Sequence, residues 1–210
     1  MAGKRQIQFH GPEHALERLV FFSDAVFAIA ITLLIIEVHV PHVSGPLTDH
    51  AFLQALADLT PHFISFLISF YVIGAFWAGH HRAFNCARHW DPRLLFANLM
   101  MLFTIAALPF FTAFSSEYYG HRVPVALYCG WLAFAALCNI RVQRLVTAPP
   151  VVGEDVAPAI RHNIRQRGIG TFLGASTGFV VALFWPAFAQ PALITIFFWR
   201  LLLVRLRPVR

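Results

Sequence analysis

Charge is scarce in this chain: Asp, Glu, Lys and Arg together make up 12% of its 210 residues. Soluble domains carry about twice that share, so a water-exposed globular fold is excluded. Cysteine is scarce as well. Cys86, Cys129 and Cys138 are odd in number and lack any Cys-x-x-Cys spacing. That excludes a disulfide framework, argues against a cysteine metal site and leaves packing as their role. No soluble domain, low-complexity tract or convincing internal repeat interrupts residues 1–210, which read as a single membrane domain. The only sizeable polar linker runs from Pro149 to Arg167.

What is present is apolar length. Hydrophobic residues make up 58% of the chain, and runs of about 20 of them recur, the length that crosses a bilayer as a helix. Six helices are expected at approximately 16–40, 59–80, 93–115, 123–146, 169–188 and 191–206. Breaks fall at Pro41 to Pro46, Asp91-Pro92, Gly120, Thr147 to Pro150 and Trp185-Pro186. The last helix is short enough to be tilted or partly interfacial. The fold class is an all-α integral membrane protein. Its first apolar run is too long for a signal-peptide core and is expected to stay as the first span.

Six spans place both termini on one side, and fifteen of the sixteen Lys and Arg residues then share that side: Lys4, Arg5, Arg18, Arg82, Arg88, Arg93, Arg141, Arg144, Arg161, Arg165, Arg167, Arg200, Arg205, Arg207 and Arg210. Arg122 alone lies opposite. The positive-inside rule makes the basic side, and with it both termini, cytoplasmic. The net charge of +6 follows from this topology, and no nucleic-acid partner is needed to explain it.

Within the first helix sits an aspartate, Asp24, and an ionisable group inside a span is functional by default because burying it is costly. At about 100° per residue, Ile29, Leu33, Ile36 and Val40 form a narrow stripe, with Arg18 near it at the inner mouth. Asp24 points about 140° from Ile29 and Ser23 about 120° the other way. Ser23 and Asp24 are therefore expected to face the subunit's own bundle. Trp77, His80 and His81 near the end of the second helix and Asn98 near the start of the third share their depth. A buried network of Asp24 with His80 or His81, Trp77 and Asn98 would satisfy the carboxylate. The plainer alternative makes Trp77, His81 and Arg82 interfacial anchors.

The motif Arg18-x-x-x-Phe22-Ser23-Asp24, followed by Ala-Val-Phe-Ala-Ile-Ala-Ile-Thr-Leu-Leu, resembles the signature of prokaryotic relatives of the lysosomal potassium channel, the transmembrane protein 175 family. Phe76-Trp77-Ala-Gly-His80-His81-Arg82 and the stretch from Asn98 to Pro109 are similar to that family too. The later helices match only in number and hydrophobicity. The resemblance implies a potassium-permeable cation channel, a homotetramer whose pore is lined by the first helix of each subunit, with no re-entrant pore loop. It implies constricting rings at Ile29, Leu33 and Ile36. The partners implied are further copies of the chain, the lipid bilayer and monovalent cations, with no cofactor, no metal and no catalysis.

No Thr-Val-Gly-Tyr-Gly run is present, so a carbonyl cage is not the means of selection. A ring of apolar side chains gates by wetting and dewetting, since a cation would shed water with no oxygen to replace it. From periodicity alone such a stripe reads as lipid-facing or core, and only the resemblance turns it towards a pore. Thr32, about 60° from Ile29, offers a possible filter hydroxyl, or a bond to its own helix. Glu37, Asp49 and Asp58 sit where they would concentrate cations at the outer mouth.

Three features read as structural or secondary. Gly170, Gly174 and Gly178 mark a groove for a closely approaching helix. Pro109 predicts a kink. His39, His42, His50 and His62, on the outer side, would at most confer pH sensitivity. Two other functions fit the polar residues. A proton-coupled secondary transporter would use the Asp24/His cluster as a relay, but the paired broken helices or repeats of such proteins are not found. A metalloenzyme would need His80, His81 and Asp24 to converge, yet adjacent helical histidines point about 100° apart.

Overall fold

The computed structural model describes residues 12–43 and 45–206. Lys4, Arg5, Arg207 and Arg210 of the topology argument, and Ser44 of the first break, lie outside the described residues. Nine α-helices and one 3₁₀ helix account for most of the described chain, and no strand forms among those residues. Six helical stretches are long and apolar enough to cross a membrane: 14–36, 60–84, 93–117, 122–146, 158–184 and 186–203. The fold is an all-α, six-span integral membrane protein.

Helix α1, Pro12–Ile36, opens on a proline, which the first helical turn tolerates because its missing N–H has no intrahelical partner there. It stops four residues short of the expected end. Pro41 biases the residue before it towards extended backbone, and Val38 closes the end through a bond to the Ile35 carbonyl at 3.1 Å. Val40 therefore leaves the apolar stripe. A short helix not foreseen from the sequence follows, α2, Asp49–Asp58, started by Thr48, whose hydroxyl accepts from the Ala51 N–H at 3.2 Å.

Helix α3, Thr60–Phe84, runs past His80 and carries His81 and Arg82 in its last turn. The third span is two helices, α4, Arg93–Ala106, and α5, Leu108–Glu117. Pro109 has no N–H for the Ile105 carbonyl, so the ladder breaks at Ala107, where the kink was expected. Helix α6 covers Arg122–Val146, after Gly120 turns the chain with φ of +79°.

Helix α7, Pro158–Phe184, corrects the sequence reading twice. It starts about three turns before residue 169, because Pro158 nucleates a helix through the basic half of the supposed linker. It ends before residue 188, because Pro186 removes the donor that would continue it. The sixth span is pieced together from α8, Pro186–Ala189, a 3₁₀ turn at Pro191–Ile194, and α9, Thr195–Leu206.

The core lies between α4, α6 and α7, around fully buried Tyr128, Leu132, Leu94, Met101 and Ile105. Tyr128 shares a hydroxyl network with Ser69 (3.0 Å), which in turn accepts from Thr112 (2.8 Å), tying α3, α5 and α6 together. The glycine stripe does bring a helix close. A Cβ on Gly174 would lie 2.6 Å from the Ile196 Cα, so α9 packs main chain to main chain on α7. The three cysteines are free, Cys86 and Cys129 buried and Cys138 partly so.

Candidate functional site: the two faces of the first helix

Along α1, Leu19, Ser23, Phe27, Ala30 and Leu34 are buried, each at 5% exposure or less. Their spacing of three and four residues forms a single stripe that packs on α3 and α4. The rest of the helix is more open: Ile29 is 59% exposed, Leu33 38% and Ile36 67%, and exposure continues around the helix through Phe21 at 71% and Ile35 at 45%. Arg18 and Phe22, at the inner end, are exposed as well.

The polar groups that meet the buried stripe bond one another in sequence, leaving only His80 Nδ1 among them without a partner among the described residues. Ser23 Oγ donates to the Leu19 carbonyl at 2.7 Å and accepts from Asn98 Nδ2 at 2.8 Å. With its amide nitrogen thus used, Asn98 turns Oδ1 to His80 Nε2 at 2.9 Å, so that ring nitrogen carries the proton. All three side chains are buried. The imidazole is also stacked on Phe84, with centroids 4.3 Å apart, and tilted against Phe27 at 5.6 Å. Phe27 and Phe84 are site-shaping residues that the sequence reading passed over. Each lies four positions from a polar member, Ser23 or His80, and that helical spacing is the signal by which they were legible.

Asp24 is not part of this buried cluster. It is half-buried, and its Oδ1 accepts from Trp77 Nε1 at 2.9 Å, at a position where the indole is 42% exposed. His81 stacks on the same indole, centroids 5.8 Å apart, without bonding the carboxylate. The expected single network is thus two: a dry Ser23–Asn98–His80 core across α1, α3 and α4, and an Asp24–Trp77–His81 edge at the α1–α3 seam. The reason is directional, since adjacent residues on a helix diverge by about 100° and Ser23 and Asp24 cannot share one pocket. The same divergence sends His80 to Asn98 while His81 meets the Trp77 indole that also bonds Asp24.

Thr32 is exposed, and its hydroxyl bonds back to the Ile29 and Ala28 carbonyls at 2.9 and 3.1 Å. One proton is satisfied in this way, and the oxygen lone pairs stay open on the exposed side. The outer histidines do not gather: His39 lies against the Glu37 carbonyl (3.0 Å) and His62 against Glu117 (3.3 Å). Among the described residues no three His, Cys, Asp or Glu side chains are grouped to hold a metal ion.

The arrangement can be set beside known proteins. The profile of the family described as endosomal/lysosomal potassium channel TMEM175 matches residues 18–109, which hold α1, α3, α4 and both polar clusters. A potassium channel of the cyanobacterium Chamaesiphon minutus is 35% identical over 151 residues, covering 70% of this chain and 72% of the relative. The chain belongs to the TMEM175 family. A potassium channel of Streptomyces collinus is 43% identical over 101 residues, a match that spans 48% of each chain. The crystal structure of a lysosomal potassium-selective channel TMEM175 homologue from Chamaesiphon minutus superposes with a TM-score of 0.73 at 25% identity, over 90% of this chain and 98% of that one. The TMEM175 likeness therefore extends through all six spans in structure, whereas the family profile stops at Pro109. These relatives are channels, not enzymes.

Proposed function

We propose that this TMEM175-family chain forms a potassium-permeable cation channel, a homotetramer in the inner (plasma) membrane whose pore is lined by α1. The observation that carries the reading is the exposed apolar stripe of Ile29, Leu33 and Ile36, set opposite a face whose polar groups are bonded within the subunit. A helix held rigidly on one side presents a fixed surface on the other, and four such surfaces around an axis enclose a narrow apolar passage. Ile29 is the narrowest ring. Ions cross when the passage wets, and the Thr32 hydroxyl supplies an oxygen to a partly dehydrated ion beside it. Glu37, Asp49 and Asp58 raise the local cation concentration at the outer mouth.

Both termini are cytoplasmic in this reading, which rests on the fifteen-to-one partition of basic residues. Asp24 serves to orient α1 on α3 through Trp77 and does not line the passage.

Single-channel recording from purified protein in planar bilayers tests the function. Unitary currents carried by potassium are expected. A saturable, slow, proton-coupled flux would point to a transporter instead. Light scattering of the detergent complex is expected to give about four times the chain's 23.6 kDa, and a stable monomer or dimer would remove the pore.

A further inference from the structure

Three arginines from three helices converge where nothing of opposite charge meets them. Arg82 ends α3, Arg167 lies in the basic first half of α7, and Arg200 lies on α9. They line one open cavity of about 90 Å³ between α3, α6, α7 and α9, with Arg82 and Arg167 exposed at its mouth and Arg200 half-buried, and no carboxylate is among its lining residues. Their charges reach one another, with Arg167 and Arg82 both acting on Arg200 as like charges. Isolated guanidinium groups repel and are costly to hold together unless an anion sits between them.

Two further observations mark the cavity as built for a ligand. Arg200 Nε is a buried donor with no bonding partner among the described residues, which leaves it open to an anion. The amide oxygens of Asn139 and Gln143, also unpaired, are acceptors and do not bond a phosphate oxygen. The glycine stripe also acquires a purpose here. A Cβ on Gly170 would lie 2.7 Å from the Arg200 Cγ, so the bare backbone of α7 is what lets Arg200 reach the cavity, where its Nη2 bonds Thr171 at 2.9 Å. An adjoining recess shares Arg82 and Arg167 and contains Asp155, but that carboxylate is held by Arg88 at 2.8 Å.

We propose that Arg82, Arg167 and Arg200 bind a phosphate oxyanion in this cavity. Planar guanidinium forks match phosphate oxygens in pairs, and basic pockets between spanning helices are suited to acidic headgroups. The remaining walls, Val72, Phe76, Leu132, Ile164 and Ile196, are apolar, which suits the glycerol and first methylenes of an acidic phospholipid. A soluble phosphate offers the same oxyanion.

The test is the thermal stability of the purified full chain in detergent, titrated in separate arms with phosphatidylglycerol, phosphatidylcholine and inorganic phosphate. Phosphatidylglycerol is expected to raise Tm while phosphatidylcholine does not, because a ligand bound only by the folded state stabilises it. An equal rise with inorganic phosphate would assign the site to soluble phosphate, and a rise only with the lipid would assign it to the headgroup. The apparent affinity should fall roughly tenfold in Arg82→Gln and again in Arg167→Gln. Arg144→Gln, an exposed change outside the cavity, should leave it intact. Equal losses in all three variants would mean diffuse surface attraction and would overturn the proposal, as would no response of the native chain to either anion. Native mass spectrometry of the unaltered protein gives a readout that needs no variant: retained phosphatidylglycerol or phosphate supports the site, and its absence under saturating ligand counts against it.

Discussion

The two faces of α1 differ in what they lack. The inner face, Leu19 to Leu34, contains a polar residue, Ser23, in an otherwise apolar stripe, and that residue is bonded to two partners. The outer face, from Ile29 to Ile36, contains no charge and is far more open, with Ile29 59% and Ile36 67% exposed. Under the proposed function, Ser23 is scaffolding and the apolar side chains of the open face line the passage. The same contrast holds across the bundle, where 50% and 56% of the third and fourth spans are buried but only 28% and 22% of the first and second. Spans left bare in one subunit are the ones available for contact with other copies or with lipid.

The largest expected effect breaks the outer face. Ile29→Asn places four amides at the proposed ring and should raise basal cation flux in liposomes by about tenfold or more, since a polar ring wets more readily. Unchanged conductance in a working channel would locate the constriction elsewhere. Next comes the inner face. Asn98→Ala removes the donor to Ser23 and the acceptor of His80 Nε2, leaving Ser23 only its Leu19 bond, and should cost about 1–3 kcal/mol, read as a Tm several degrees lower in a fluorescence-detected melt.

Leu33→Ala sharpens the contrast from the other direction. With Leu33 38% exposed, its truncation should cost subunit stability less than Asn98→Ala does, about 1 kcal/mol or less, while conductance shifts. A melt depressed as far as that of Asn98→Ala would show that the two faces are not distinct in kind.

The smallest effect lies at the connection between α3 and α4. Arg93 bonds the Asp91 carboxylate through both Nε and Nη2, and its main-chain N–H adds a third donor, which holds Asp91 below its ordinary value of 3.8. A carboxyl lowered in the folded state stabilises above its unfolded value and loses that contribution as pH falls through the folded one. Asp91→Asn should therefore lower Tm slightly at pH 6 and no longer do so well below pH 3.8. A difference that persisted at low pH would assign the effect to the N-terminal bond at α4 instead of to charge.

Much of this was legible in the chain. The number of spans follows from runs of apolar residues, because a backbone in hydrocarbon must satisfy its own hydrogen bonds and does so as helix. The stripe of Ile29, Leu33 and Ile36 follows from the 3.6-residue period, and the meeting of Ser23, His80 and Asn98 from their shared depth. Boundaries were less legible. Pro158 and Pro186 shifted α7 at both ends, and α2 escaped notice because a 10-residue amphipathic turn of chain leaves little periodic signal.

The sequence by itself determined the membrane, the six spans and the face of α1 that carries the apolar stripe. Each is a property of local chemistry or of a single helix. Only the tertiary structure decided that Asp24 and Ser23 go to separate partners, and that Arg82, Arg167 and Arg200 meet around one cavity. Those outcomes depend on how helices distant in the chain cross, and a crossing is fixed by the packing of both surfaces at once, which no single helix encodes.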